Sequence, residues 1–406
     1  MNIDIKRLVD NFCSLAVLKI FNLLLPLVTL PYLLKTLELN NYGVIVLALS
    51  LIMYFQTITE YGFNLSATRE IAKNRSSAAR LEFIYSKVVW CKLLLLIISL
   101  LVLVVVVFFT PKLFESKTTF LLTGLILIGH SMFPEWFFRG MEQMRYITLL
   151  DLCIKLLFTI GVFVFINNEG DGWLYPLLLG SAYITVSILS HLLIYYKFNV
   201  SLKLVKFMVI YRTLKNTFPL FINQFFPNLY NNTTTFLVGM MLGNHAVGLF
   251  GAIKQVASLL NVFNSVITAV IFPYLNRNKD KFNLYCKYYL LLLFTVSLLF
   301  IFVGQYVFLL LEINDEIVNK VFLILIIGIF NIGIYSVFAT NYLIIHKKDK
   351  LVMKITVITS LIGFSLSYPF IHLFGLTGAA LTVCTSQFLL GTISFVFYKK
   401  NNERNI

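Results

Sequence analysis

The sequence predicts an all-α integral membrane protein: about twelve transmembrane helices, both termini cytoplasmic. Three observations predict this: an apolar composition, apolar runs long enough to span a bilayer, and the placement of the cations. Of 406 residues, 59% are hydrophobic and 13% charged, and the mean hydropathy is +0.86. A soluble domain carries about 25% charged residues, so no water-facing shell can be built from this chain. The lysines and arginines fall in seven short clusters separated by paired apolar runs. Each run supplies two segments of the roughly twenty residues that cross a membrane as helix.

The expected spans, in order, are 14–36, 42–64, 86–109, 118–138, 147–166, 173–196, 217–242, 246–273, 286–311, 318–345, 352–373 and 376–398. The clusters hold 25 of the 33 cations, and the intervening turns hold four: Lys35, Lys112, Lys117 and Lys320. The positive-inside rule therefore places the clusters in the cytoplasm. The four cations that remain, Lys19, Lys92, Lys155 and Lys254, lie inside or at the edge of apolar segments.

The same distribution argues against nucleic acid as a partner. The net charge of +15 sits at span ends, where it orients the chain. The five cysteines are scattered without a CxxC spacing, which points to neither a zinc site nor a disulfide framework. The N-terminus has a basic start but no small-residue cleavage site, and reads as an uncleaved first span. No Walker A loop, nucleophile elbow or metal-ligand spacing occurs. An enzyme is not indicated, and no cofactor or metal is expected.

An internal repeat divides the chain into expected halves of 1–205 and 206–406. Leu37–Gly43 and Leu242–Gly248 are both Leu-x5-Gly turns, 205 residues apart. Six helices per half give both halves the same orientation, a common transporter plan. The helices that open the halves are proline-interrupted, by Pro26 and Pro31 and by Pro219 and Pro227. Paired interrupted segments point to a transport site, although proline also simply kinks membrane helices.

Lys254, Ser258, Asn261, Ser265 and Thr268 recur at four- and three-residue spacing, which puts them on one helix face. Lipid penalises such a stripe, so it should face a bundle interior or a wet cavity. There it can hold phosphate or sugar, or its small residues can let helices approach closely. Lys19 and Asn22 repeat the pattern in the first helix, where Lys19 can also snorkel to the surface. Asn223 belongs to an amide-rich seventh helix with Gln224, Asn228, Asn231 and Asn232. Asp151 with Lys155, and Glu135 with Arg139, stand at i, i+4, where each pair neutralises itself. A carboxylate in a low-dielectric cavity can also carry a coupling proton, and Glu60 and Asp151 are the candidates.

Several segments carry a family resemblance. They are Asn11, Leu15, Lys19 and Asn22; Leu25-Pro26-Leu27 and Leu30-Pro31-Tyr32; Glu60-Tyr61-Gly62-Phe63; and Ala67 to Ala72 with Arg69. Pro134 to Glu142 and Leu242 to Phe250, followed by Lys254, complete the set. The chain resembles Wzx-type polysaccharide-biosynthesis flippases of the multidrug/oligosaccharidyl-lipid/polysaccharide exporter superfamily. Two departures stand out. Glu38 occupies a position where glycine is usual, so a less tight turn is expected, and Arg139 occupies one where glutamine is common. The resemblance implies two six-helix bundles around a central cavity, alternating access, and a cargo of undecaprenyl-diphosphate-linked oligosaccharide, an O-antigen or capsule repeat unit. It implies the bacterial inner membrane, ion coupling or product consumption as the driving force, and membrane lipids, an O-antigen polymerase and a chain-length regulator as partners. Lys254, Lys19, Asn22, Asn223, Ser258, Asn261 and Arg69 would then line the cargo path. The alternatives are a drug or ion antiporter of the same superfamily and, from another class, an O-antigen polymerase.

Overall fold

The computed structural model describes residues 3–313 and 315–402. Side chains are described for Leu25 and from Val28 to Asn401, except Asn223, Pro227, Ala269, Pro273 and Asn314. The described residues form helices joined by turns and by a non-helical run at 199–206, without a strand, and include nine helices long and apolar enough to cross a membrane. The chain forms two compact units, Met1–Phe225 and Phe226–Ile406.

The first unit begins with α1 (Ile3–Glu60). At 1.5 Å per residue its 58 residues would far exceed a bilayer. A single non-helical residue, Glu38 (φ 57°, ψ 167°), breaks it into 3–37 and 39–60, each of spanning length. The glutamate does not loosen this turn. It adopts a backbone conformation that is normally left to glycine, at a cost of about 1–3 kcal/mol. The repeat partner of Glu38, 205 residues on, is Gly243, with nearly the same geometry (φ 101°, ψ 177°). The two Leu-x5-Gly turns are thus alike in backbone as well as in sequence.

Next come α2 (Phe63–Lys73), α3 (Ala78–Phe109), α4 (Pro111–Phe114), α5 (Lys117–Met132), α6 (Glu135–Gly140), α7 (Met144–Phe165) and α8 (Leu174–Phe198). Gly62, between α1 and α2, has φ 78°, and a Cβ there would lie 2.8 Å from the Leu220 Cβ. Only glycine meets both constraints, which explains the Glu-Tyr-Gly-Phe segment. Tyr61 stacks on Phe221 at 4.8 Å. The Pro134–Glu142 segment is also structural. Trp136, Phe137 and Phe138 are buried, Arg75 Nε donates to Gly140 O at 2.7 Å, and the Arg75 guanidinium pairs with Glu142 at 2.7 Å. Helices α5 and α8 pack so closely at Gly129 that a Cβ would sit 2.5 Å from the Tyr183 and Ile184 backbone.

Helix α9 (Phe207–Leu242) is shared between the units, and the second unit takes in its later part, from Phe226, then α10 (Asn244–Arg277), α11 (Phe282–Leu310), α12 (Glu316–Tyr335) and α13 (Asp349–Asn402). Helix α13 breaks at Gly375 (φ 56°, ψ −132°), again leaving two pieces of spanning length. Its core is polar in places. Thr359, Ser360, Ser367, Thr382, Ser386 and Ser394 of α13 are all buried, small residues that allow close helix approach. Where one continuous helix is expected over 318–345, Ser336–Ile344 is π-helical. Its Asn341 is buried and donates to Tyr285 Oη at 2.7 Å.

Candidate functional site

In the second unit, Lys254 projects from α10 to α9. Its Nζ donates to Asn231 O at 3.0 Å and to Thr235 Oγ1 at 3.1 Å. No carboxylate of a described residue lies within ion-pairing distance of it. The ammonium is therefore held by neutral oxygens and keeps its charge free for an anion. Along the same face Ser258, Asn261 and Ser265 are exposed and Thr268 is buried. The Ser258 and Ser265 hydroxyls donate to carbonyls one turn back, Gln255 O and Val262 O. A polar stripe exposed on a helix of spanning length is costly against lipid and belongs beside water.

In the first unit the structure gathers ions that the sequence separates. Glu60, at the end of α1, accepts a hydrogen bond from Gln224 Nε2, and its Oε1 lies 3.6 Å from His130 Nε2 of α5. The His130 Nδ1 is buried without a hydrogen-bond partner. Lys92 of α3 is only 4% exposed and lies within electrostatic reach of Glu60 and Glu135. His130 is within the same reach of Lys92, Glu135 and Asp151. Five helices thus bring a cation, three acids and a histidine to one region of the bundle. Asp151 is occupied by Lys155 at 2.8 Å, and Glu135 by Arg139.

Sequence reading selects Glu60 and Asp151 but passes over His130 and leaves Lys92 without a role. The available signal was simple: each is an ionisable residue well inside an apolar run, which is a functional pointer by default. Arg69 is exposed on α2 and joins neither group. Lys19, Asn22 and Asn223 lie outside the described side chains.

Long apolar helices, a breaking residue in the first and last of them, and cations held in polar surroundings at membrane depth define a multi-pass membrane protein built like a transporter. Solved structures agree on the fold. An inward-facing multidrug resistance MATE family transporter of the MOP superfamily matches with a TM-score of 0.66 at 13% identity, over 92% of this chain and 97% of that one. An outward-facing one matches with a TM-score of 0.59 at 14% identity, over 97% and 93%. Residues 8–279 match the model of the polysaccharide biosynthesis protein family, and the chain belongs to that family. It is 27% identical to the "Putative O-antigen transporter" of Escherichia coli (strain K12) over 99% of both chains. It is 22% identical to the protein of the same name from Shigella dysenteriae, over 91% of this chain and 94% of that one.

Proposed function

We propose that the chain is a flippase. It moves an undecaprenyl-diphosphate-linked oligosaccharide, an O-antigen or capsule repeat unit, from the cytoplasmic to the outer leaflet of the bacterial inner membrane by alternating access. The observation that carries this reading is Lys254. It is a cation with no carboxylate partner among the described residues, on a spanning helix whose same face exposes Ser258, Asn261 and Ser265. A diphosphate and a glycan cannot enter hydrocarbon unaided. An ammonium can take the phosphate charge, while hydroxyls and amides replace water around the sugar. The names of the two relatives and the family match support the same cargo class. Glu60, placed against His130, is the group assigned to ion coupling, with Asp151 in electrostatic reach.

Deletion of the chain should trap lipid-linked repeat units on the cytoplasmic leaflet, read by leaflet-selective labelling of sealed vesicles. Normal arrival outside, in a strain with no second flippase, rejects the proposal. Loss of drug efflux with no change in the lipid-linked pool would instead favour an antiporter.

A further inference from the structure

A cleft of about 590 Å3 opens on the side of the first unit, within the size range of small-molecule sites. Its walls are Val89 and Leu93 of α3, Ile128 and Met132 of α5, and Ile188 and Leu192 of α8. They sit in the first half of α3, the last turns of α5 and the second half of α8, at the end of the bundle where lysines and arginines cluster. Helices α5 and α8 approach closely at Gly129, itself a lining residue. Every lining residue belongs to the first unit, where Ile188 and Leu192 are 56% and 45% exposed. The mouth therefore opens at the surface of that unit. Polar side chains in the walls are few: the Tyr85 hydroxyl and His191 Nδ1 bond each other at 2.6 Å, and Ser187 and Tyr195 are the others, so the cleft offers mainly aliphatic surface to an occupant.

The rim has the opposite character. The extended segment between α8 and α9 crosses α3 beside the mouth and contributes Val200 and Leu202 to the lining. It is pinned there. The Ser201 hydroxyl bonds Glu82, Lys203 N donates to Ser86 Oγ at 2.9 Å, and Trp90 Nε1 donates to Lys203 O at 3.0 Å. Residues 195–215 contain Lys197, Lys203, Lys206, Arg212 and Lys215 and no acid. Tyr196, Leu204 and Phe207 are 76%, 89% and 68% exposed among them. Exposed aromatics and aliphatics interleaved with cations mark a segment lying in the headgroup layer. Lys203 is paired with Glu82, while Lys206 is exposed.

We propose that this cleft is a binding site for one anionic glycerophospholipid of the adjacent leaflet, with an acyl chain between α3, α5 and α8 and the phosphate on Lys203 and Lys206. The bound lipid cements the α8–α9 segment to α3. An uncharged or zwitterionic lipid would fill the apolar walls equally well and leave the rim charge unanswered. The basic rim is what selects the anionic headgroup. The site is independent of the cargo reading and stands whichever substrate the protein carries.

Native mass spectrometry of the full-length protein, released from micelles holding equal phosphatidylglycerol, phosphatidylcholine and undecaprenyl phosphate, tests this. One phosphatidylglycerol should be retained selectively. Ile188→Trp and Leu192→Trp, each filling the cleft from an exposed position, should each abolish retention. The two are made separately, so one variant that folds is enough. Lys203→Gln combined with Lys206→Gln should weaken retention roughly fivefold per cation removed. Equal retention of phosphatidylcholine overturns the charge argument. Displacement of the phospholipid by undecaprenyl phosphate overturns the occupant. Retention unchanged in a folded cleft variant overturns the site.

Discussion

Replacing Lys254 with methionine separates a cargo contact from a structural one. The substitution keeps the long stem and removes the charge. The two bonds lost are those to Asn231 O and Thr235 Oγ1, each worth about 1.5–3 kcal/mol as a charge-assisted bond. Against them stands the several kcal/mol it costs to take an ammonium out of water. Neither acceptor is orphaned, because the Thr235 hydroxyl already donates to Asn231 O at 3.2 Å. The two sides nearly cancel, and the unfolding free energy should change by no more than ~1–2 kcal/mol. Cargo recognition has no such compensation. Losing one charge-assisted contact to a diphosphate should reduce transport roughly ten- to a hundredfold. The assay is leaflet-selective labelling of lipid-linked oligosaccharide in sealed vesicles, with abundance from immunoblots and stability from thermal unfolding of purified protein. Lys254→Arg, which keeps the charge, should restore part of the rate. Wild-type transport by the methionine variant at equal abundance refutes the cargo role, and collapse of its abundance refutes the energetic argument.

The other predictions concern the turns and the ion cluster. Glu38→Gly removes about 1–3 kcal/mol of backbone strain and adds about 0.4–1 kcal/mol of unfolded-chain entropy, so the net result should be a higher melting temperature; a lower one contradicts the strained-turn reading. Gly243→Ala reverses this and should destabilise by ~1–3 kcal/mol, measured in the same melt. Gly62→Ala meets both a left-handed φ and the Leu220 Cβ at 2.8 Å, so its accumulation in membranes should fall well below wild type; normal abundance would show that α9 yields easily there. Glu60→Gln removes the carboxylate that faces His130 but leaves an amide able to bond Gln224. It should make transport insensitive to an imposed pH gradient, and an unchanged gradient response removes Glu60 from coupling.

How much was legible depends on how far each feature reaches along the chain. The lysine stripe on α10 could be read at once, because helical periodicity places Lys254 and Ser258 on one face whatever the rest of the chain does. The Leu-x5-Gly turns are visible in their letters, but the backbone conformation at Glu38 is not. Side-chain identity suggested a looser turn, whereas the two helices it joins impose the conformation and the glutamate bears it. The first-unit cluster was half legible. Glu60 and Asp151 stand out as acids in apolar runs, but the group that connects them, His130, comes from a third helix, and Lys92 from a fourth.

The sequence by itself determined that this is an all-helical membrane protein, where its apolar runs lie, and that it belongs with polysaccharide biosynthesis proteins. Those properties follow from hydropathy summed over some twenty neighbouring residues and from short local motifs. Only the tertiary structure decided which ions meet, that Lys254 rests on neutral oxygens, and that an apolar cleft with a basic rim opens beside α3. Each of these depends on contacts between residues tens to more than a hundred positions apart, and those are set by how helices pack.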